Sequence, residues 1–109
     1  MAATPSAEYI GSELELFTRA VRWAEYVARQ VEPFLSGTVI EVGAGMGART
    51  SRLAPFAERW VAVEPDAQLA GSIADRIGQA HPGLNLEVVT GTLQDVSENI
   101  HADAIVYID

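Results

Sequence analysis

The sequence contains no cysteine, and basic residues are scarce in it. Without cysteine, disulfides, thiolate metal ligands and cysteine nucleophiles are excluded. Lys and Arg number 7 against 15 Asp and Glu, which gives the 109 residues a formal net charge of −8. Proteins that bind nucleic acid carry basic patches that meet the phosphates. The composition therefore predicts that no nucleic acid is a partner of this chain.

Long apolar runs and metal-binding clusters are also missing from the sequence. No apolar run approaches the roughly 20 residues that a transmembrane helix needs, so no membrane span is predicted. Residues 1–10 lack the basic-then-apolar order of a signal peptide, and a cytoplasmic location is the expectation. His81 and His101 stand alone, with no acid at metal-ligand spacing, so we expect no metal site. No spacing of acids, serines and histidines identifies catalytic residues, which stay unknown.

An apolar segment that ends in a glycine-rich turn is the main positive feature of the sequence. Residues 38–42 have the pattern of a buried β-strand, and glycines follow at the alternate positions 43, 45 and 47. Glycine lets a backbone turn sharply and approach a ligand closely. A helix is predicted over residues 48–54. Strands that run into such turns bind nucleotide-like cofactors at their carboxyl ends.

Apolar runs and spacings of three and four residues predict the remaining elements. These are strands over residues 59–64, 84–90 and 104–108, and helices over residues 13–32 and 66–79. The hydrophobic fraction of 49% suffices for the core of a small domain. Residues 1–12 are small and polar, and we expect them to be a loose lead before a domain over residues 13–109.

The glycines fit two classes of cofactor. The spacing Gly43-x-Gly45-x-x-Ala48 satisfies the loose dinucleotide fingerprint, in which a helix N-terminus holds a pyrophosphate. Glu41, however, places a carboxylate directly before the glycines, where it would repel a pyrophosphate. A cationic cofactor favours an acid at that place. An NAD(P)-binding oxidoreductase domain therefore stays an alternative that the acid disfavours.

The pattern Glu41-x-Gly43-x-Gly45-x-Gly47 resembles motif I of the class I S-adenosylmethionine-dependent methyltransferases. The resemblance implies that the turn holds the amino-acid part of the cofactor S-adenosyl-L-methionine. Its cofactor-binding residues would be Gly43, Ala44, Gly45 and Gly47. Glu41 would lie near the ammonium group of the cofactor, directly or through water.

The ends of the other strands resemble the same family. Glu64-Pro65 has the form of the turn after the second strand, where the family's acid accepts hydrogen bonds from the ribose hydroxyls. Thr92 and Leu93 occupy the place that borders the adenine ring, although the family often has an acid where this chain has Thr92. Asp109 follows the fourth strand, at the threshold of the methyl-transfer site. These positions complete the predicted cofactor site.

The resemblance also predicts the fold. The family has a Rossmann-like parallel sheet of about seven strands with flanking helices, and the four strands of this α/β chain would lie in the order 3-2-1-4. We therefore expect a truncated methyltransferase domain. The fourth strand, residues 104–108, is apolar and would expose its outer edge, through which the chain could associate with a second copy.

The function that the resemblance implies is S-adenosylmethionine-dependent methyl transfer, with this chain as the cofactor-binding half. The ending Tyr107-Ile108-Asp109 resembles the branches of the family that modify small molecules or lipids. A small-molecule or lipid-like methyl acceptor is therefore predicted. A non-catalytic, methyltransferase-like pairing module is compatible with the same residues and stays an alternative.

Overall fold

The computed structural model describes residues 7–108. The α-helices are α1 (Ala7–Val31), α2 (Ala48–Leu53) and α3 (Ala67–Ala80). The β-strands are β1 (Thr38–Val42), β2 (Arg59–Glu64), β3 (Leu86–Thr90) and β4 (Ala104–Tyr107). Short 3₁₀ segments cover Glu32–Phe34, Ala54–Phe56 and Leu93–Asp95. The chain divides into two compact units, residues 1–30 and residues 31–109.

Helix α1 makes up the described part of the first unit. Neighbouring turns are linked by an ion pair between Arg19 and Glu15, with 2.6 Å between Nη2 and Oε1. The rings of Trp23 and Tyr26 stack with their centroids 5.5 Å apart. Side chains three or four residues apart share one face of a helix, and each such pair stabilises it by about 0.2–0.5 kcal/mol.

This helix begins earlier than the sequence pattern predicts. It starts at Ala7, whereas the periodic apolar pattern starts at residue 13. The added stretch begins with the good helix formers Ala7 and Glu8, and Ile10 precedes Leu14 by four residues, the spacing of the apolar pattern, although Gly11 is unfavourable inside a helix. From residue 7 onward, helix therefore replaces the expected loose lead. Residues 1–6 lie outside the described residues.

The second unit contains a parallel sheet with the strand order β3-β2-β1-β4. Val42 of β1 lies opposite both Val63 of β2 and Tyr107 of β4, and every strand pair is parallel. Helices α2 and α3 lie in the connections from β1 to β2 and from β2 to β3. The predicted Rossmann-like α/β class and the order 3-2-1-4 are confirmed.

The segment between β3 and β4 covers part of one face of this sheet. It packs against a buried cluster of apolar residues on the two inner strands. The cluster consists of Ile40, Val61 and Val63, and the side chains packed against it include Leu93, Val96 and Ile100. Because β3 and β4 are the two edge strands, this segment must cross the sheet to reach β4, beside β1. The crossing brings residues 92–94 near the ends of β1 and β4.

Asp66 fixes the point at which α3 begins. Its Oδ1 accepts hydrogen bonds from the amide nitrogens of Gln68 at 2.9 Å and Leu69 at 3.1 Å. The first N–H groups of a helix have no partner within the helix, and a side-chain cap of this kind stabilises it by about 1 kcal/mol. The cap lies two residues after the end of β2, so α3 starts close to the carboxyl edge of the sheet.

Candidate functional site

The carboxyl ends of the strands form one edge of the sheet. At this edge β1 lies between β2 and β4, and the chain leaves β1 through α2 toward β2. The connection to β4 begins at β3, the strand at the other edge of the sheet, and crosses the sheet. In open parallel sheets, ligands bind outside the carboxyl ends at such a switch point.

Two cavities lie at this edge. The first, of about 430 Å³, is lined by Val42, Gly43, Tyr107 and Ile108. The second, of about 650 Å³, is lined by Val42, Thr92, Leu93, Gln94 and Tyr107. Both include Val42 and Tyr107, so they adjoin at the ends of β1 and β4. The structure thus brings together the predicted glycine turn and the predicted adenine-side residues, and it adds Gln94, which the sequence did not single out.

The turn after β1, residues 43–47, is called the glycine loop here. Gly43, Gly45 and Gly47 have φ angles of 77°, 59° and 84°, a region that costs other residues about 1–2 kcal/mol. A Cβ at Gly47 would lie 3.0 Å from Cδ1 of Ile77 and 3.1 Å from Cγ1 of Ile73. A Cβ at either of the other two glycines would meet nothing within 4 Å. Gly47 therefore lets α3 pack closely, whereas Gly43 and Gly45 border open space.

The first amide groups of the glycine loop are bound by the protein itself. The N–H groups of Gly43 and Ala44 donate to the carbonyl oxygen of Val63, at 2.9 and 3.1 Å. The N–H of Gly45 donates to Oε1 of Glu64 at 2.8 Å. A pyrophosphate site needs such N–H groups for the phosphate oxygens. These three N–H groups are therefore occupied and do not favour an anion. A ligand would instead use the open space beside Gly43 and Gly45.

Glu64 ties the glycine loop to the start of α3. Its side chain is 7% exposed, Oε1 accepts from Gly45, and Oε2 accepts from the N–H of Asp66 at 2.8 Å. Pro65 lies exposed in the turn between the two acids. Each carboxylate oxygen can accept a second hydrogen bond, so the ribose contact of Glu64 stays a prediction.

Glu41 lies inside the second unit, on the penultimate position of β1. Its side chain is 4% exposed, and Oε1 accepts hydrogen bonds from the hydroxyl of Thr50 and from Nε1 of Trp60, the latter at 3.1 Å. Burial raises the pKa of the Glu41 carboxyl, while the two hydrogen bonds and the charge of Arg49 oppose that shift. The expected contact with a cofactor ammonium stays a prediction.

The loop after β3, residues 91–95, begins with a hydrogen bond from the N–H of Gly91 to the carbonyl oxygen of Glu64 at 3.0 Å, and its own side chains close the rest. Oδ2 of Asp95 accepts from the N–H of Thr92 at 2.7 Å and from its hydroxyl at 3.2 Å. The N–H of Asp95 returns a hydrogen bond to the carbonyl of Thr92 at 2.9 Å. Thr92 and Leu93 line the larger cavity, as the predicted adenine contacts would require.

Arg49, in the first turn of α2, is a contact that the sequence did not reveal. Its Nη1 donates to the carbonyl oxygen of Ile108 at 3.3 Å, so it links α2 to the end of β4. The two residues are 59 positions apart, and no local pattern announces such a pair. Arg52, one turn later, instead pairs with Glu32 and lies over the ring of Phe56 at 5.5 Å.

The remaining predictions concern Asp109, metal binding and membrane-spanning helices. Asp109 lies outside the described residues. Within residues 7–108, no group of three His, Asp or Glu side chains is placed to hold a metal ion. No helix in that same range combines the length and the apolar character needed to cross a membrane.

Comparisons with known proteins identify relatives of part of this chain. An rRNA adenine N-6-methyltransferase from Streptomyces fradiae is 48% identical over 66 residues, which cover 61% of this chain and 20% of that protein. A dimethyladenosine transferase structure from Plasmodium falciparum aligns with a TM-score of 0.55 and 25% identity, over 66% of this chain and 26% of the other. A complex of DhpI with S-adenosylhomocysteine has a TM-score of 0.64 and 24% identity, over 93% of this chain and 46% of the other. No family model matches the chain.

These relatives correct one prediction and confirm two others. The prediction of a small-molecule acceptor and no nucleic-acid partner is wrong, because the Streptomyces relative is named for its action on rRNA. A net charge sums over the whole chain and does not show where a partner binds. The predicted relationship to methyltransferases and the predicted cofactor, S-adenosylmethionine, are confirmed. The chain spans about a fifth of the length of the Streptomyces relative. By sequence over 61% of its length, and by fold, this chain is similar to S-adenosylmethionine-dependent methyltransferases with a Rossmann-like sheet.

Proposed function

We propose that this chain is the cofactor-binding part of a methyltransferase that modifies an adenine amino group in RNA. The observation that carries the cofactor assignment is the glycine loop, whose first three amides are bound by Val63 and Glu64. The observation that supports the acceptor is the 48% identity with an rRNA adenine N-6-methyltransferase over 66 residues.

Charge favours a cationic cofactor over a dinucleotide. A pyrophosphate at the glycine loop would find three amides already bound and a carboxylate, that of Glu64, 2.8 Å from the Gly45 nitrogen. Like charges repel at such distances. S-adenosylmethionine carries an ammonium and a sulfonium, which a carboxylate attracts. The bound amides therefore disfavour the NAD(P)-binding alternative, whereas an acid at the place of Glu64 suits the ribose of either cofactor.

The proposed cofactor contacts come from three loops at one edge of the sheet. We assign the amino-acid part to Gly43, Ala44, Gly45 and Gly47, the ribose to Glu64 and Pro65, and the adenine to Thr92 and Leu93. The two adjoining cavities at the ends of β1 and β4 support this assignment, because their walls include both the glycine loop and the loop after β3.

The residues of this chain would act by binding and orientation. When bound, S-adenosylmethionine would supply an activated methyl group for the acceptor nitrogen, with S-adenosylhomocysteine as the leaving group and solvent as the acceptor of the nitrogen's proton. Holding two reactants in one geometry removes much of the entropic part of a barrier, by as much as about 7–11 kcal/mol in well-oriented systems. The glycine loop contributes a close backbone approach, and Glu64 holds that loop in place before the cofactor arrives.

Calorimetric titration with S-adenosylhomocysteine and with NAD⁺ tests the cofactor. We expect saturable one-to-one binding of S-adenosylhomocysteine and no heat with NAD⁺. Gly45→Val should abolish that binding, because it fills open space at a positive φ. Gly71→Ala is the matched control, since a Cβ there meets nothing within 4 Å and α3 tolerates alanine. Binding of NAD⁺ without S-adenosylhomocysteine would overturn the assignment.

Transfer of tritium from methyl-labelled S-adenosylmethionine to ribosomal RNA, by the protein that carries this chain, tests the acceptor. We expect label in RNA that nuclease digestion releases as N6-methylated adenosine. Label on a ribose or on another base would refute the adenine assignment. Label in a small-molecule extract and none in RNA would refute the RNA acceptor while leaving the cofactor assignment intact.

A further inference from the structure

Glu41 is the centre of a buried polar network between three elements. Its carboxylate, on β1, is bound through one oxygen by Thr50 on α2 and by Trp60 on β2. Glu41, Thr50 and Trp60 are 4%, 0% and 1% exposed. A buried carboxylate is tolerated only where hydrogen bonds or opposite charge compensate its lost hydration. Here both donors are side chains of the protein and both bind Oε1, so the network compensates that oxygen of the acid without a ligand.

The network holds the exit of the glycine loop against the sheet. Thr50 lies three residues after Gly47, and the N–H of Ser51 donates to the carbonyl of Gly47 at 2.9 Å. The hydroxyl of Thr50 thereby fixes the first turn of α2 relative to β1. Trp60, through the same carboxylate, fixes β2 relative to β1. The entrance of the loop is held separately, by the carbonyl of Val63.

We propose that Glu41 is a positioning residue, which sets the shape of the glycine loop through Thr50 and Trp60 rather than by contacting the cofactor's ammonium group. This inference rests on the proposed function, because it concerns the same cofactor site. It assigns Thr50 a role in cofactor binding although the hydroxyl is fully buried. Thr50 and Trp60 are therefore determinants of affinity that make no contact with the ligand.

Two ligands separate positioning from direct contact. S-adenosylhomocysteine carries the ammonium group, whereas 5′-methylthioadenosine lacks the whole amino-acid part. A residue that binds the ammonium affects only the first ligand. A residue that shapes the loop affects the affinity for S-adenosylhomocysteine whether or not that residue carries a charge. Affinities of this chain for both ligands are measured by calorimetry, and folding of each variant is checked by circular dichroism.

Three substitutions supply the test. Thr50→Val removes the hydroxyl at constant shape and should weaken S-adenosylhomocysteine binding about tenfold. Thr50→Ser keeps a hydroxyl, so its loss of affinity on a logarithmic scale should be at most half that of Thr50→Val. Glu41→Gln keeps an oxygen that accepts from both donors, so we expect a loss of less than about threefold for either ligand. Thr18→Val is the matched control, because the exposed hydroxyl of Thr18 donates to the carbonyl oxygen of Leu14 within α1, at 2.8 Å.

The opposite pattern would overturn the proposal. That pattern is a loss of tenfold or more for Glu41→Gln with S-adenosylhomocysteine, no change with 5′-methylthioadenosine, and no effect of Thr50→Val. If Thr50→Val fails to fold, the comparison of the two ligands on Glu41→Gln decides by itself. Wild-type protein that binds neither ligand would instead refute the proposed function, which is a distinct outcome.

Discussion

The glycine loop after β1 and the loop after β3 are both turns at the carboxyl edge of the same sheet, but they are held in different ways. The glycine loop bonds to Val63 and Glu64 on β2 and packs Gly47 against α3. The loop after β3 is closed by reciprocal hydrogen bonds between Thr92 and Asp95. The glycine loop depends mainly on residues distant in the sequence. The loop after β3 has one bond to β2, from the N–H of Gly91 to the carbonyl oxygen of Glu64 at 3.0 Å, and is otherwise closed by hydrogen bonds between residues three positions apart.

This difference shows where the preorganisation of the site comes from. A loop held by neighbouring elements keeps its shape only while those elements are packed, so damage to it should appear in the stability of the whole unit. A loop closed on itself keeps its shape by local bonds, so damage to it should stay local. The four predictions below separate the two cases, from the largest expected effect to the smallest.

Gly47→Ala should be the most damaging of these changes. It places a Cβ at φ 84° and about 3 Å from Ile73 and Ile77, which combines a left-handed backbone with overpacking. We expect a loss of about 2–4 kcal/mol in the free energy of unfolding, measured with urea. Gly78→Ala is the control, because its Cβ meets nothing within 4 Å and should stabilise α3 by about 0.5–1 kcal/mol. Equal effects of the two changes would contradict the role given to Gly47.

Glu64→Gln should release one of the two backbone amides that this side chain binds. Its amide group has one accepting oxygen, so either Gly45 or Asp66 loses its acceptor, at about 1–3 kcal/mol. Hydrogen exchange of the Gly45 amide or of the Asp66 amide, followed by NMR, should become faster. Glu87→Gln is the control, since its exposed ion pair with Arg59 contributes about 0–1 kcal/mol. An unchanged exchange rate at both amides would show that the carboxylate does not hold the loop.

Glu41→Gln should change how stability depends on pH. Burial raises the pKa of Glu41 in the folded state, so the folded protein keeps this proton to a higher pH than the unfolded chain does. Between the ordinary value of about 4.5 and the raised value, wild-type stability falls as pH rises, by at most about 1.4 kcal/mol per unit.

The variant lacks this dependence. The stability of the wild type minus that of Glu41→Gln should therefore decrease as pH rises above about 4.5 and level off beyond the raised pKa. Urea unfolding at a series of pH values measures the difference. A difference that grows with pH would mean that the folded environment favours the ionised carboxylate, contrary to the burial seen here.

The sequence predicted the strands and the glycine loop well because those features are local. β2 has the predicted bounds, residues 59–64, since a continuous apolar run begins and ends beside polar turns. β3 begins two residues later than predicted, at Leu86, because Leu84 bonds His81 in a turn. The start of α1 was missed because Gly11 and Ser12, which are typical of helix ends, lie inside the helix.

Side-chain direction and long-range contacts could not be predicted from the sequence. The acids of Glu41 and Glu64 were identified from their places at the strand ends, yet their hydrogen bonds go to Thr50, Trp60 and two backbone amides. Each of these contacts except that with Asp66 spans nine or more residues. Only the packed sheet brings such partners together, which is also why the glycine loop depends on tertiary structure.

Asp95→Ala should have the smallest effect, confined to the loop after β3. It removes the acceptor of the Thr92 N–H and hydroxyl, but both groups are exposed and can bond water. We expect a loss of about 0.5–1 kcal/mol, the lower part of the range for a lost cap. Hydrogen exchange should quicken at Thr92 and stay unchanged at Gly45, with Asp75→Ala on the exposed face of α3 as the control for charge. Faster exchange at Gly45 would mean that the two loops are coupled through Glu64, whose carbonyl oxygen accepts from the N–H of Gly91 and whose carboxylate accepts from the N–H of Gly45.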